Sequence, residues 1–144
     1  MDVVTARDRI AHFCAQVDGI AQAVSGYRAL PPKYPGIAIT LGPIVIGYAG
    51  TEQHWLPAEI RGLLMTGIVN ETERHVAQID PLITSLVDAF HPGTRAAVLD
   101  IGTGDRADNC LIRAIEPSQE ITYAGHQHYG AVVTWIVEFR RFAS

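Results

Sequence analysis

A chain of 144 residues, 48% of them hydrophobic and 18% charged, is too apolar to stay disordered and long enough to bury one core unaided. A single domain over residues 1–144 is therefore expected. The formal net charge of −4 provides no basic field to hold a phosphate backbone against salt, which argues against tight DNA or RNA binding.

The segment before the first apolar run carries Asp2, Arg7, Asp8 and Arg9, so it lacks a signal-peptide core, and a soluble protein not exported through this sequence is expected. Ile10, Phe13, Cys14, Val17, Ile20, Ala21 and Val24 recur at helical spacing, with Thr5 and Asp8 placed as a capping box. This predicts a first helix over residues 6–24, stopped by Ser25 and Gly26. Residues 30–36 contain three prolines, which forbid helix and remove ladder donors, so an extended surface loop is expected.

The apolar stretch 36–48 is shorter than the roughly 18 residues a membrane span needs, and Gly42, Pro43 and Gly47 interrupt it. Within it, residues 44–46 read as a short buried strand ending at Gly47. A second strand is expected over residues 60–69, with Leu63, Met65 and Val69 on one face. The linker between them carries an isolated Trp55. Asp80-Pro81 has the form of a helix start, followed by Leu82, Ile83, Leu86, Val87 and Phe90 on one face. A second helix over residues 81–90 is predicted, ended by His91-Pro92-Gly93, with residues 71–78 either its lead-in or a loop. The last third carries strand signals over residues 110–115, 121–123 and 130–142, where Val133, Trp135, Val137 and Phe139 alternate onto one face. The expected fold class is α+β: a mixed or antiparallel sheet with two main helices packed on it.

Three strings invite a chemical reading. Val98-Leu99-Asp100-Ile101-Gly102-Thr103-Gly104-Asp105 looks like the first motif of methyltransferases that use S-adenosylmethionine. The third glycine is absent, however, and the residues that follow read as strands, so a β-turn region is favoured. His126-Gln127-His128 could place two imidazoles on one side of a strand, but no third ligand lies nearby, and exposed histidines beside a hairpin tip at Tyr123-Ala124-Gly125 are expected. Glu71, Glu73 and Arg74 read as a solvated face. Cys14 and Cys110, the only cysteines, each sit in an apolar pattern and read as small buried hydrophobes, neither a disulfide nor a zinc site. No catalytic, cofactor-binding or metal-binding residue is assigned, and an enzyme is not expected.

The arrangement of the amphipathic first helix, the Pro-rich loop 30–35, the apolar strand 44–48 and the helix 80–90 resembles the tail terminator and tail completion proteins of long-tailed bacteriophages. The closing segment, from Ile121-Thr122-Tyr123 through Tyr129-Gly130 to Val132-Val133-Thr134-Trp135-Ile136-Val137-Glu138, carries most of the likeness. The resemblance implies a structural neck subunit, a homo-oligomeric and usually hexameric ring that caps the tail tube and joins tail to head. Its implied partners are the tail tube protein and a head-side connector or stopper protein. DNA would pass through the ring without specific binding, and no membrane is involved. The implied location is the head–tail junction of the virion, after assembly in the host cytoplasm. Candidate contact residues are Tyr34, Trp55, Asp105 and Arg106, on loops between packed elements. The alternatives are a head completion or stopper protein and a small methyltransferase-like protein using residues 98–105. With neither metal site nor disulfide readable, chelators and reductants are expected to leave the thermal midpoint unchanged; a drop of many degrees with either, followed by circular dichroism, would contradict that reading.

Overall fold

The computed structural model describes residues 1–44, 47–49, 53–55, 58–68, 72–138 and 140–142. Helix α1, Val3–Cys14, starts at Asp2, whose carboxylate accepts a hydrogen bond from Thr5 N at 2.7 Å. The capping box expected at Thr5 and Asp8 is therefore not the cap. Asp8 Oδ1 instead accepts from Ser25 Oγ and Arg7 Nε.

The helix expected to reach residue 24 ends at Cys14. Gly19 turns the chain at a φ of 94°, and strand β1, Gln22–Ser25, runs parallel to β2, Gly36–Ile44. Val17 and Ile20 are nonetheless buried. Their helical spacing marked residues that reach the core, and a turn delivers them there as well as a helix would.

The chain continues through β3 (Gly47–Ala49), β4 (Gln53–Trp55), β5 (Ala58–Ile68), α2 (Thr72–Ala89), β6 (Asn109–Tyr123), β7 (His126–Glu138) and β8 (Arg140–Phe142). Five strands form one sheet in the order β1-β2-β5-β7-β6, and β3-β4-β8 form a second. Only β1 and β2 pair in parallel among the described ladders, so the sheet is mixed and the fold is α+β. The strand expected over residues 60–69 is β5. The separate signals over 110–115 and 121–123 merge into β6, which turns through Ala124 and Gly125, both at positive φ, into β7, the two-residue hairpin geometry that matches strand twist. Val45, Ile46, Val69, Glu71 and Phe139 lie outside the described residues.

Helix α2 begins nine residues before Pro81, at Thr72, so Asp80-Pro81 is not its start. A proline within a helix removes one backbone bond. Here Ile79 on one side and Leu82 and Leu86 on the other are buried, and that burial keeps both halves on the sheet. No described helix is long and apolar enough to cross a membrane.

Both helices share one face of the sheet. Ala6, Ile10 and Cys14 of α1 and Ile79, Leu82 and Leu86 of α2 pack with Ile37, Ile39, Ile60, Leu64, Val133, Trp135 and Val137 in one core. On the opposite face Ala38, Met65, Ile121 and Tyr123 form a smaller cluster. Two glycines set how closely the strands and side chains meet. A Cβ on Gly62 would stand 2.6 Å from the Trp135 ring and 2.8 Å from Ile37 Cδ1, and one on Gly130 would collide with the Leu64 carbonyl oxygen. Gly62→Ala is expected to destabilise the protein by about 1–3 kcal/mol, the usual range for overpacking a core. Gly130→Ala should be worse, because backbone cannot swing aside as a side chain can. Urea unfolding of both variants checks this ranking.

Candidate functional site

Residues 26–35 cross the sheet face away from the helices and are pinned at both ends. Gly26 N donates to Ile39 O at 2.7 Å. The Tyr27 ring stacks on Tyr123 with centroids 5.7 Å apart, while Tyr123 Oη accepts from Arg28 N at 2.8 Å and donates to Gly26 O at 3.2 Å. At the far end Lys33 N donates to Gln22 Oε1 at 2.9 Å, and Tyr34 Oη lies 2.7 Å from His128 Nε2. Between these anchors Leu30 is 78% exposed, with Arg28 and Lys33 on either side of it. Leu30 is the most exposed large hydrophobic side chain among the described residues.

The histidines expected to be exposed together separate. His126 is exposed, whereas His128 is fully buried, because the loop ending at Tyr34 folds over it. Burial holds His128 below its ordinary 6.5, the Ile121 and His126 carbonyls partly opposing that effect. Its Nδ1 meets no partner in good hydrogen-bond geometry among the described residues. Burial also raises the Tyr34 phenol. At neutral pH both rings are uncharged.

The glycine-rich segment 98–105 follows a short 3-10 turn, Ala96–Val98, and leads into antiparallel β6. A dinucleotide or S-adenosylmethionine fingerprint leaves a strand and opens a helix, whose N-terminus receives the ligand; neither element is here. Instead Gly102 N donates to Asp100 Oδ1 at 2.8 Å, and Gly102 and Gly104 adopt φ of 94° and 84°. Arg9 of α1 locks the segment down. The residue is 9% exposed, and its guanidinium donates to the Leu99 carbonyl at 3.1 Å and to the Asp105 carbonyl, and lies 3.4 Å from the Asp105 carboxylate.

The four proposed contact residues are therefore not one patch. Tyr34 is spent on His128 and Asp105 on Arg9, on opposite faces of the sheet. Arg106 is exposed. The backbone of Trp55 pairs with Gly47 and Arg140, and its side chain lies outside the described residues. Cys14 and Cys110 are both buried. Burial pushes both thiols up, with Cys110 raising Cys14 further, which leaves them protonated and unreactive.

An open groove of about 670 Å³ lies where α1 and α2 end. Phe13, Val17 and Ile101 line it with apolar surface, and Asp18, Asp88 and Asp100 line it with carboxylates. Arg95 Nη2 stands 3.9 Å from Asp100. Neither Asp18 nor Asp88 forms an ion pair or side-chain hydrogen bond among the described residues. Sequence reasoning missed this groove, since its walls come from four separate stretches of chain. It also overlooked Leu30, although a leucine between Arg28 and two prolines was a visible sign.

No family model matches the chain, and no curated protein matches it in sequence. Among the described residues no three His, Cys, Asp or Glu side chains come together as a metal-binding group.

His128 makes stability depend on pH with a definite sign. Its folded pKa lies below the unfolded 6.5, so on acidification the unfolded chain takes up the proton first, and stability present above that value is lost as pH falls through it. Urea unfolding between about pH 7 and pH 5 should show this decline in the wild type and a flatter profile in His128→Gln. Parallel profiles would show that another group is responsible.

Proposed function

We propose that this chain is a structural subunit of a tailed-phage neck, which acts as an oligomeric ring that caps the tail tube and joins it to the head-side connector or stopper protein. The observation that carries this reading is a surface one: a loop braced at both ends holds Leu30 uncovered, and an acidic, apolar-floored groove stands open at the helix ends. Those are features of a protein that works by contact. The order of a helix, a Pro-rich loop, an apolar strand, a second helix and a long closing strand supports the neck assignment by its likeness to tail terminators. A net charge of −4 suits a lumen that DNA must cross without sticking.

The second reading, a methyltransferase-like protein using residues 98–105, is disfavoured by the setting of that segment between a 3-10 turn and an antiparallel strand. A head completion or stopper protein belongs to the same structural class and differs in what it touches. Partner choice thus separates the neck proteins, and the test is direct. Purified protein added to tail tubes that lack their terminator should form end-bound rings and fix tube length, as seen by negative-stain imaging. Failure to bind tube ends at any concentration would reject the assignment, and binding to connectors alone would move it to the head side.

A further inference from the structure

The groove and the loop are opposite in charge, and they lie on different parts of the molecule. Three carboxylates face the groove against one guanidinium, Arg95, which already stands near Asp100. The last turns of α1 and α2 both line it, and the negative ends of their helix dipoles add to that potential. Asp18 and Asp88 are exposed, so their charge is available to an incoming cation. Below them Phe13, Val17 and Ile101 offer an apolar floor, with Ile101 itself 40% exposed.

The loop presents the opposite pattern. Arg28 and Lys33 are both exposed, and neither forms an ion pair among the described residues. Between them Leu30 stands 78% exposed, followed by two prolines that limit its freedom. The Tyr27–Tyr123 stack, the Tyr123 hydroxyl bonds and the Tyr34–His128 contact already order the backbone. Docking such a loop forfeits little conformational entropy.

We infer that the occupant of the groove is a second copy of this chain: Leu30 of one copy enters against Phe13, Val17 and Ile101 of the next, and Arg28 and Lys33 meet Asp18, Asp88 and Asp100. The contact joins two different surfaces. It is heterologous, and repetition of a heterologous contact about an axis closes a ring or grows a filament. The inference deepens the neck assignment, and it rests on that assignment only for the ring's purpose. One loop in one groove buries modest area, so each contact is weak and salt-sensitive, and closure multiplies it.

The test uses the full chain in sedimentation velocity, from micromolar to millimolar, at low and high salt. Wild type should associate in a concentration-dependent way that salt weakens. Leu30→Asp should raise the dissociation constant about tenfold or more, the loss expected from withdrawing one buried leucine. Asp18→Lys combined with Asp88→Lys should do the same from the groove side. All three positions are exposed, and circular dichroism checks that the fold survives. Mixing the two variants is the sharper experiment: one retains an intact groove and the other an intact loop, so together they should form a heterodimer that grows no further. Wild type that stays monomeric to millimolar concentration, variants that associate as wild type does, or a mixture with no heterodimer would each overturn the inference. Self-association by this contact without affinity for tail tubes would instead remove the neck assignment and leave the contact standing. Tube-end rings indifferent to Leu30→Asp would do the reverse.

Discussion

The fold depends on how Trp135 seats itself on the sheet. It lies on β7, between β5 and β6, fully buried, with its ring over the bare backbone of Gly62 on β5. Phe90, just past the end of α2, meets that ring edge-on at 5.3 Å, and Phe13 of α1 meets Phe90 in the same manner at 6.5 Å. This run of three aromatic rings ties the sheet to both helices. Aromatic side chains bury large surfaces and prefer such edge-to-face geometry, so these contacts hold the ends of both helices against the sheet. Where they end, the groove opens, with Phe13 forming part of its floor.

The other face of the sheet follows a different logic. Among the described residues no helix covers it, and the Pro-rich loop after β1 lies over part of it with two tyrosines. Tyr123 reaches from β6 to hold the loop's beginning, and Tyr34 reaches from the loop to close over His128. Tyr123 is buried and Tyr34 remains partly in solvent, and each hydroxyl finds a partner. Within the loop Pro32 turns inward and is buried, whereas Leu30 points away and remains exposed while both flanks are fixed.

Electrostatics are distributed with the same asymmetry. Among the described residues the buried arginine, Arg9, is used in tying α1 to residues 99–105. A buried guanidinium needs such partners to offset desolvation. The carboxylates at the helix ends and the cations of the loop are left in solvent, available to another molecule. The molecule is therefore closed internally and open at two surfaces of opposite character.

Much of the architecture was legible from local pattern. Alternation of Val133, Trp135 and Val137 gave their common burial, Ala124-Gly125 marked the hairpin tip, and Gly102 and Gly104 marked a turn, because strand pleat and positive φ are properties of a few consecutive residues. The same locality explains the failures. Val17 and Ile20 kept helical spacing after the helix had stopped at Cys14, since periodicity records which residues meet the core and says nothing of the path between them. Asp80-Pro81 has the form of a helix start, yet packing of Ile79 and Leu82 against the sheet carries the helix through it. His128 reads as a surface histidine until Tyr34, 94 residues away in sequence, covers it. Asp105 reads as a free loop carboxylate until Arg9 claims it. The sequence by itself determined the α+β fold class, most of the apolar faces and the burial of the cysteines. Tertiary structure alone decided the helix ends, the buried histidine, the groove and the loop that complements it, because each depends on segments distant in the chain meeting in space.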